Sequence, residues 1–194
     1  MADAMGPAAL AACTADGWSP VIGDPSALGW STVAAYALAA ILCAAAAVRT
    51  GGRVRAFWIL LAAILAMLCL NKQLDLQSAL TEAGRCLARA QGWYAERGGV
   101  QLRFILGVAA ICVATLVAAL WTMRREVGRV WLALTGFALL LAFVGTRAAS
   151  FHHVDRFIGL PVGPLRVNGV MELGGIALIA LGAAAAVRRG ARTA

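Results

Sequence analysis

The chain has 194 residues, of which 62% are hydrophobic and 13% are charged, and its formal net charge is +8. Its mean hydropathy of +0.82 excludes a soluble protein with a single core, because a core of this size cannot enclose so much apolar surface. In a soluble protein, this excess of basic residues would suggest nucleic-acid binding. In a membrane protein, anionic lipid headgroups are the simpler partner, and no nucleic-acid partner is expected.

Five apolar stretches follow an amino-terminal tail. Residues 1–29 are rich in Ala, Gly, Pro and Asp and predict a loosely structured tail on the outer side. A span needs about 20 mostly apolar residues, and the stretches predict spans at about 30–48, 56–74, 104–121, 130–146 and 169–187. The predicted fold is therefore all-α, an integral membrane bundle of five transmembrane helices over 30–189, with an inner tail at 190–194.

Arginine placement indicates the orientation of this multi-pass bundle. Arginines cluster after the first span, after the third span and at the end of the chain, whereas the first 27 residues contain no Lys or Arg. Short cytoplasmic loops are enriched in these residues, so we expect the amino terminus outside and the carboxyl terminus in the cytoplasm. The loop between spans two and three is also basic, which competes with this assignment unless its charges serve a site or lie along headgroups.

That loop contains a candidate amphipathic helix. Ser78 is a plausible cap, Leu80 and Leu87 recur at helical spacing, and Gly92 ends the pattern. We expect this helix to lie on the outer surface of the membrane.

The five cysteines are scattered and form no CxxC pair. Cys43, Cys69 and Cys112 fall within predicted spans, where a thiol acts as a small apolar side chain. Cys13 and Cys86 would both face the oxidising outer compartment, where a disulfide can form. The sequence alone leaves open whether they are bonded.

Two carboxylates stand out at the outer face. Asp75 continues the second apolar helix, and Glu172 lies inside the fifth. Ionisable groups at membrane depth are costly and are usually paired or functional, so both should turn inward. The simplest partners are Arg147 for Glu172 and Arg103 for Asp75, while Lys72 is expected to extend away towards the interface.

A metal site is one interpretation of the outer face. His152, His153 and Asp155 carry side chains suited to zinc or iron, but in a helix only His152 and Asp155 share a face. Asp75 and Glu172 would have to complete the ligand set. In this interpretation the protein is a metal-dependent membrane hydrolase, with Asp75, His152 and Glu172 as ligands or as acid and base.

A binding site for an anionic group is the other interpretation. Arginine binds phosphate and carboxylate bidentately, and aromatic rings can flank such a ligand. The candidate substrate-binding residues are Arg85, Arg89, Trp93, Tyr94, Arg97 and Arg147. They would give the protein a binding or accessory role towards a lipid headgroup, a quinone or a membrane protein partner. This interpretation needs fewer assumptions, and whether the protein is an enzyme stays open.

Three segments carry a resemblance to known proteins: NKQLDLQ (71–77), GWY (92–94) and SFHHVD (150–155). Over roughly residues 56–187 the chain resembles a group of small bacterial multi-pass membrane proteins without an assigned activity. The resemblance implies a bacterial inner membrane. Some of these proteins carry the label isopropylmalate isomerase, which belongs to soluble iron–sulfur enzymes and which the isolated cysteines here do not support. A more distant similarity, to alkaline-ceramidase-like hydrolases that hold zinc with His and Asp, implies the metal alternative, although this chain has two spans fewer.

Overall fold

The computed structural model describes residues 6–19, 22, 24–149, 161–162 and 165–191. In chain order the elements are α1 (Pro7–Gly17), α2 (Ala27–Val48), α3 (Gly52–Leu74), α4 (Leu76–Ala90), a 3-10 turn (Tyr94–Glu96), α5 (Arg97–Met123), α6 (Val127–Ala149), β1 (Pro161–Val162), β2 (Leu165–Arg166) and α7 (Val167–Ala191). The two short strands pair antiparallel, with Pro161 opposite Arg166 and Val162 opposite Leu165.

Five helices, α2, α3, α5, α6 and α7, are long and apolar enough to cross a membrane. The predicted all-α membrane bundle is confirmed. Each helix extends a few residues beyond the predicted apolar stretch, because polar residues at a helix end still form backbone hydrogen bonds. The third span, predicted at 104–121, lies within Arg97–Met123, and α7 continues to Ala191, two residues into the predicted inner tail.

The five spans pack as a ring that is almost open at one seam. The packed neighbours follow the order α3, α2, α7, α6 and α5, and α5 returns to α3 with only slight contact. The ends of the spans define two sides. The disulfide side carries α1, α4 and the start of α7, and the arginine side carries the turns between α2 and α3 and between α5 and α6, together with the end of α7.

The core fills the ring. Its largest fully buried side chains are Tyr36, Trp58, Phe137, Leu61 and Leu65. Helix α5 adds to this core through Ala119 and Met123, near the arginine side. Towards the disulfide side its residues Leu102, Phe104 and Leu106 are exposed, whereas Ile105 is buried.

Helices α6 and α7 approach each other most closely at two glycines. A Cβ added to Gly136 would lie 2.5 Å from the carbonyl oxygen of Gly175, and one added to Gly175 would lie 2.9 Å from that of Gly136. Two turns further along α7, a Cβ on Gly182 would lie 3.1 Å from the backbone nitrogen of Ala133. Small residues at such crossings let helix backbones touch, which is how membrane helices gain packing energy without a hydrophobic driving force.

The amino-terminal tail contains a helix, so the prediction of a loosely structured tail is wrong for residues 7–17. Helix α1 packs on α4, and a disulfide joins Cys13 to Cys86 with the two Cα atoms 6.1 Å apart. A Cβ on Gly17 would meet the side chain of Glu82 at 2.5 Å. We predicted a loose tail from its amino-acid composition, and composition gives no information on a covalent bond between α1 and α4.

Helix α4 is the predicted amphipathic helix on the surface of the bundle, but it begins earlier than expected. Asp75 adopts a left-handed conformation with φ of 45°, ends α3 and directly precedes α4. Ser78 therefore lies in the first turn and is not the cap. Aspartate tolerates this conformation better than most residues, so one residue suffices to turn the chain out of the span. Gly92, with φ of 76°, follows the end of α4 as predicted.

The disulfide between Cys13 and Cys86 can be tested by counting the thiols that react with a maleimide. In protein denatured without reductant, we expect three cysteines to react with a maleimide, namely Cys43, Cys69 and Cys112, and five to react after reduction. Intact mass measures both counts. A Cys13→Ser variant should show four reactive thiols with or without reductant, because Cys86 is released. Five thiols in unreduced wild-type protein would contradict the bond.

Candidate functional site

A cleft of about 570 Å³ lies at the disulfide side of the ring. Its apolar walls are Leu68, Leu76, Leu80, Phe104, Val108, Phe143, Val144 and Ala148. Its polar residues are Asp24, Tyr36, Asn71, Lys72, Asp75, Arg147 and Glu172. All five spans and α4 contribute, and the volume falls in the range of roughly 300–1,000 Å³ typical of small-molecule sites. We call it the Glu172 cleft.

Glu172 is held by two donors from other helices. The ammonium of Lys72 lies 3.0 Å from Oε2 and 3.3 Å from Oε1 of Glu172, and the phenol of Tyr36 donates to Oε1 at 3.1 Å. Glu172 is 5% exposed and Tyr36 1%. The three side chains thus join α7, α3 and α2 through a buried carboxylate whose charge is balanced by a cation.

This arrangement corrects two predictions made from the sequence. The Lys72 side chain does not extend away from the bundle; it is 26% exposed and turns towards α7. Lys72 rather than Arg147 has the role of ion-pair partner that we expected for Glu172, and Arg147 lines the same cleft. A buried carboxylate without a nearby cation is strongly destabilising, and this cost outweighs the hydration that the ammonium of Lys72 loses when it turns towards Glu172.

Asp75 lines the cleft at the junction of α3 and α4. The predicted ion pair between Asp75 and Arg103, both within the described part of the chain, is wrong. The guanidinium Nε of Arg103 instead donates to the carbonyl oxygen of Gly99 at 3.3 Å. The left-handed turn at Asp75 sends the chain away from the span axis, which changes the direction of its side chain from that expected for a continuous helix.

A third carboxylate, that of Asp24, reaches the cleft from the segment before α2. Hydrogen bonds from the hydroxyl and the backbone N–H of Ser26 hold the pKa of Asp24 below its usual value, helped by the positive charge of Lys72. The cleft therefore collects carboxylates Asp24, Asp75 and Glu172 with cations Lys72 and Arg147. It offers a ligand both hydrogen-bond donors and acceptors.

Four other predicted binding residues, Arg85, Arg89, Trp93 and Tyr94, lie along α4 and the turn after it, and they do not line the cleft. Arg85 pairs with Glu82 of its own helix at 3.0 Å. The guanidinium of Arg89 lies over the ring of Tyr94, 5.4 Å from its centroid. The indole N–H of Trp93 donates to the side chain of Gln91 at 2.7 Å. Arg97 is the first residue of α5.

The predicted metal ligands His152, His153 and Asp155 lie outside the described residues. Within the residues that are described, no group of three or more His, Cys, Asp or Glu side chains is placed to hold a metal ion. Of the three predicted catalytic residues, Asp75 and Glu172 line one cleft, and His152 falls in the undescribed segment.

Sequence reasoning missed Tyr36 entirely. It lies in an Ala-rich apolar run, where it counted only as one more hydrophobic residue. One signal was present, because a buried tyrosine hydroxyl usually finds a hydrogen-bond partner, and an inward-facing Glu172 was already expected. Asp24 was missed because it lies before the first span, in the tail that we predicted to be loosely structured.

Comparisons of the chain with models of protein families, with curated proteins and with solved structures find no match.

Proposed function

We propose that the protein binds an amphiphilic molecule of the bacterial inner membrane, a lipid or a quinone, in the Glu172 cleft and has a binding or accessory role. The observation that carries this proposal is the contact of the partly exposed Lys72 with the buried Glu172 and Tyr36, at the polar part of a cleft whose remaining walls are apolar. Such a cleft matches a ligand with one polar end and one apolar end.

The position of the cleft supports access from the bilayer. It is lined from both sides of the loosely packed seam, by Leu68 of α3 and by Phe104 and Val108 of α5. Phe104 is 50% exposed and Leu80, at the edge of α4, is 58% exposed. In a membrane these side chains meet acyl chains, so an apolar tail can enter between α3 and α5 without crossing water.

The polar groups suit a headgroup that accepts hydrogen bonds. The ammonium of Lys72 and the guanidinium of Arg147 are cationic donors, and the amide of Asn71 donates as well. A quinone carbonyl or a phosphate ester oxygen would accept from these groups. The acidic side chains restrict the number of negative charges that a bound ligand can carry.

The proposal places the cleft at the outer side, with the amino terminus outside and the carboxyl terminus in the cytoplasm. Two independent features support this orientation. The disulfide between Cys13 and Cys86 favours an oxidising compartment on its side. The opposite side carries the arginine-rich turns, as cytoplasmic loops do.

A bulky residue in the cleft tests the proposal. Native mass spectrometry of protein extracted from bacterial membranes in mild detergent should show wild type with one bound amphiphile, identified as quinone or phospholipid after extraction. Val108→Trp should lose most of this ligand, because the indole fills part of the cleft that Val108 lines.

The matched control is Val117→Trp, on the same helix, where Val117 is 58% exposed and does not line the cleft. This variant should retain the ligand. Folded wild-type protein without any bound amphiphile, or equal loss in the two variants, would overturn the proposed function.

A further inference from the structure

A second cavity, of about 540 Å³, lies at the arginine side of the ring. It is formed by the end of α2, the start of α3, the start of α6 and the end of α7, and none of the described residues lines both this cavity and the Glu172 cleft. We propose that this cavity binds a phosphate group, carried by an anionic phospholipid of the adjacent leaflet or supplied as a soluble phosphate.

The charged residues that line the cavity, within the described part of the chain, are all arginines. They are Arg49, Arg129 and Arg189, and no acidic residue among those that the structure describes lines the cavity. They come from three different helix ends, so their guanidinium groups can approach one ligand from several directions. A phosphate has enough oxygen atoms to accept from several guanidinium groups, whereas a carboxylate has two.

One of these arginines is fixed in position by the fold. The guanidinium Nη2 of Arg189 donates to the carbonyl oxygen of Arg129 at 2.8 Å, which ties the end of α7 to the start of α6. This bond uses one of the five N–H donors of the guanidinium. Arg129 is itself oriented by Glu126, with which it forms an ion pair at 3.0 Å.

The start of α3 adds backbone donors. Thr50 and Gly51 line the cavity, and Gly51, the residue before the helix, supplies no side-chain hydrogen bond to the first turn. The first N–H groups of a helix have no partner within it, and they favour a negative charge nearby. Helix N-termini are therefore recurrent phosphate sites.

An independent observation comes from Trp58. This indole is wholly buried and lines the cavity, and its Nε1–H has no acceptor among the described residues. A buried polar group without a partner is uncommon and costly in native proteins. A phosphate oxygen is an acceptor of the required kind, and the arginines explain why the acceptor would be an anion.

The experiment compares two double variants with the same loss of charge. Arg49→Gln with Arg189→Gln removes two cations that line the cavity. Arg53→Gln with Arg188→Gln removes two exposed arginines of the same side that do not line it. Circular dichroism in detergent confirms that each variant is folded.

Two probes distinguish the sources of phosphate. Native mass spectrometry measures retention of phosphatidylglycerol, and isothermal titration with inorganic phosphate measures binding of the free ion. We expect the Arg49→Gln, Arg189→Gln variant to bind whichever probe the wild type binds about 100-fold more weakly, since it loses two charge-assisted contacts. The affinity of the Arg53→Gln, Arg188→Gln variant should change little. Trp58→Phe, which removes the indole N–H, should weaken the same probe severalfold.

If the protein retains phosphatidylglycerol but does not bind inorganic phosphate, the ligand of the cavity is a lipid headgroup. If it binds inorganic phosphate, the ligand is a soluble phosphate. Both outcomes support the site. Absence of both probes from folded wild-type protein, or an equal loss in the two double variants, would overturn it. Because Val108 lies in the other cleft, Val108→Trp should leave this binding unchanged, which separates the failure of one site from that of the other.

Discussion

Lys72→Met is expected to lower the free energy of unfolding by about 3 kcal/mol, since it removes the cation that contacts a buried carboxylate. The Glu172 carboxylate that Lys72 contacts is buried on α7. Tyr36 still donates to it, but a phenol does not neutralise a charge. Unfolding in detergent by increasing fractions of sodium dodecyl sulfate, followed by circular dichroism, measures the change.

The double variant Lys72→Met with Glu172→Gln is the control. It removes both charges while the amide of residue 172 can still accept from Tyr36, so its stability should return to within about 1 kcal/mol of wild type. If the single variant is as stable as wild type, the ion pair has no stabilising role. If the double variant is as unstable as the single variant, the loss comes from packing and not from an uncompensated charge.

Gly136→Ala is expected to destabilise the bundle by about 2 kcal/mol, in the range typical of overpacking. The added Cβ would lie 2.5 Å from the carbonyl oxygen of Gly175 and 2.9 Å from the backbone nitrogen of Ile179. Both contacts involve backbone, which cannot move aside as a flexible side chain can. Helices α6 and α7 would have to separate, which loosens the packing of Phe137 and Leu140. The same detergent titration measures this effect.

Gly174→Ala is the matched substitution. Gly174 precedes Gly175 in α7, but a Cβ there meets no heavy atom within 4 Å. Because alanine forms helix better than glycine by about 1 kcal/mol, this variant should be at least as stable as wild type. Equal stability of Gly136→Ala and Gly174→Ala would show that the close approach of the two helices is unimportant.

The spans could be predicted from the sequence because hydropathy reports the length of an apolar segment. The direction that each side chain faces could not, as Lys72 illustrates. Its position at the end of α3 was compatible with extension towards headgroups or with a turn towards the bundle, and the outcome depends on Glu172, 100 positions later in the chain. Hydropathy places a residue along a span but does not give its direction around the helix.

The site was predictable only in part for a similar reason. Asp75 and Glu172 were recognised because carboxylates are rare in apolar runs, and both line the Glu172 cleft. Tyr36 does not stand out in this way, because a tyrosine in an apolar run counts as one more hydrophobic residue. Arg49, Arg129 and Arg189 were used only to orient the chain, since nothing local shows that three separate helix ends meet around Trp58.

The bond between Cys13 and Cys86 bears on the order in which the protein is assembled. Both cysteines precede α5, so the bond can form as soon as α2 and α3 have entered the membrane, while the last three spans are still being synthesised. The first half of the chain would then be closed into a covalent loop that holds α1 against α4. Later helices would pack against a partner whose topology is no longer free to invert.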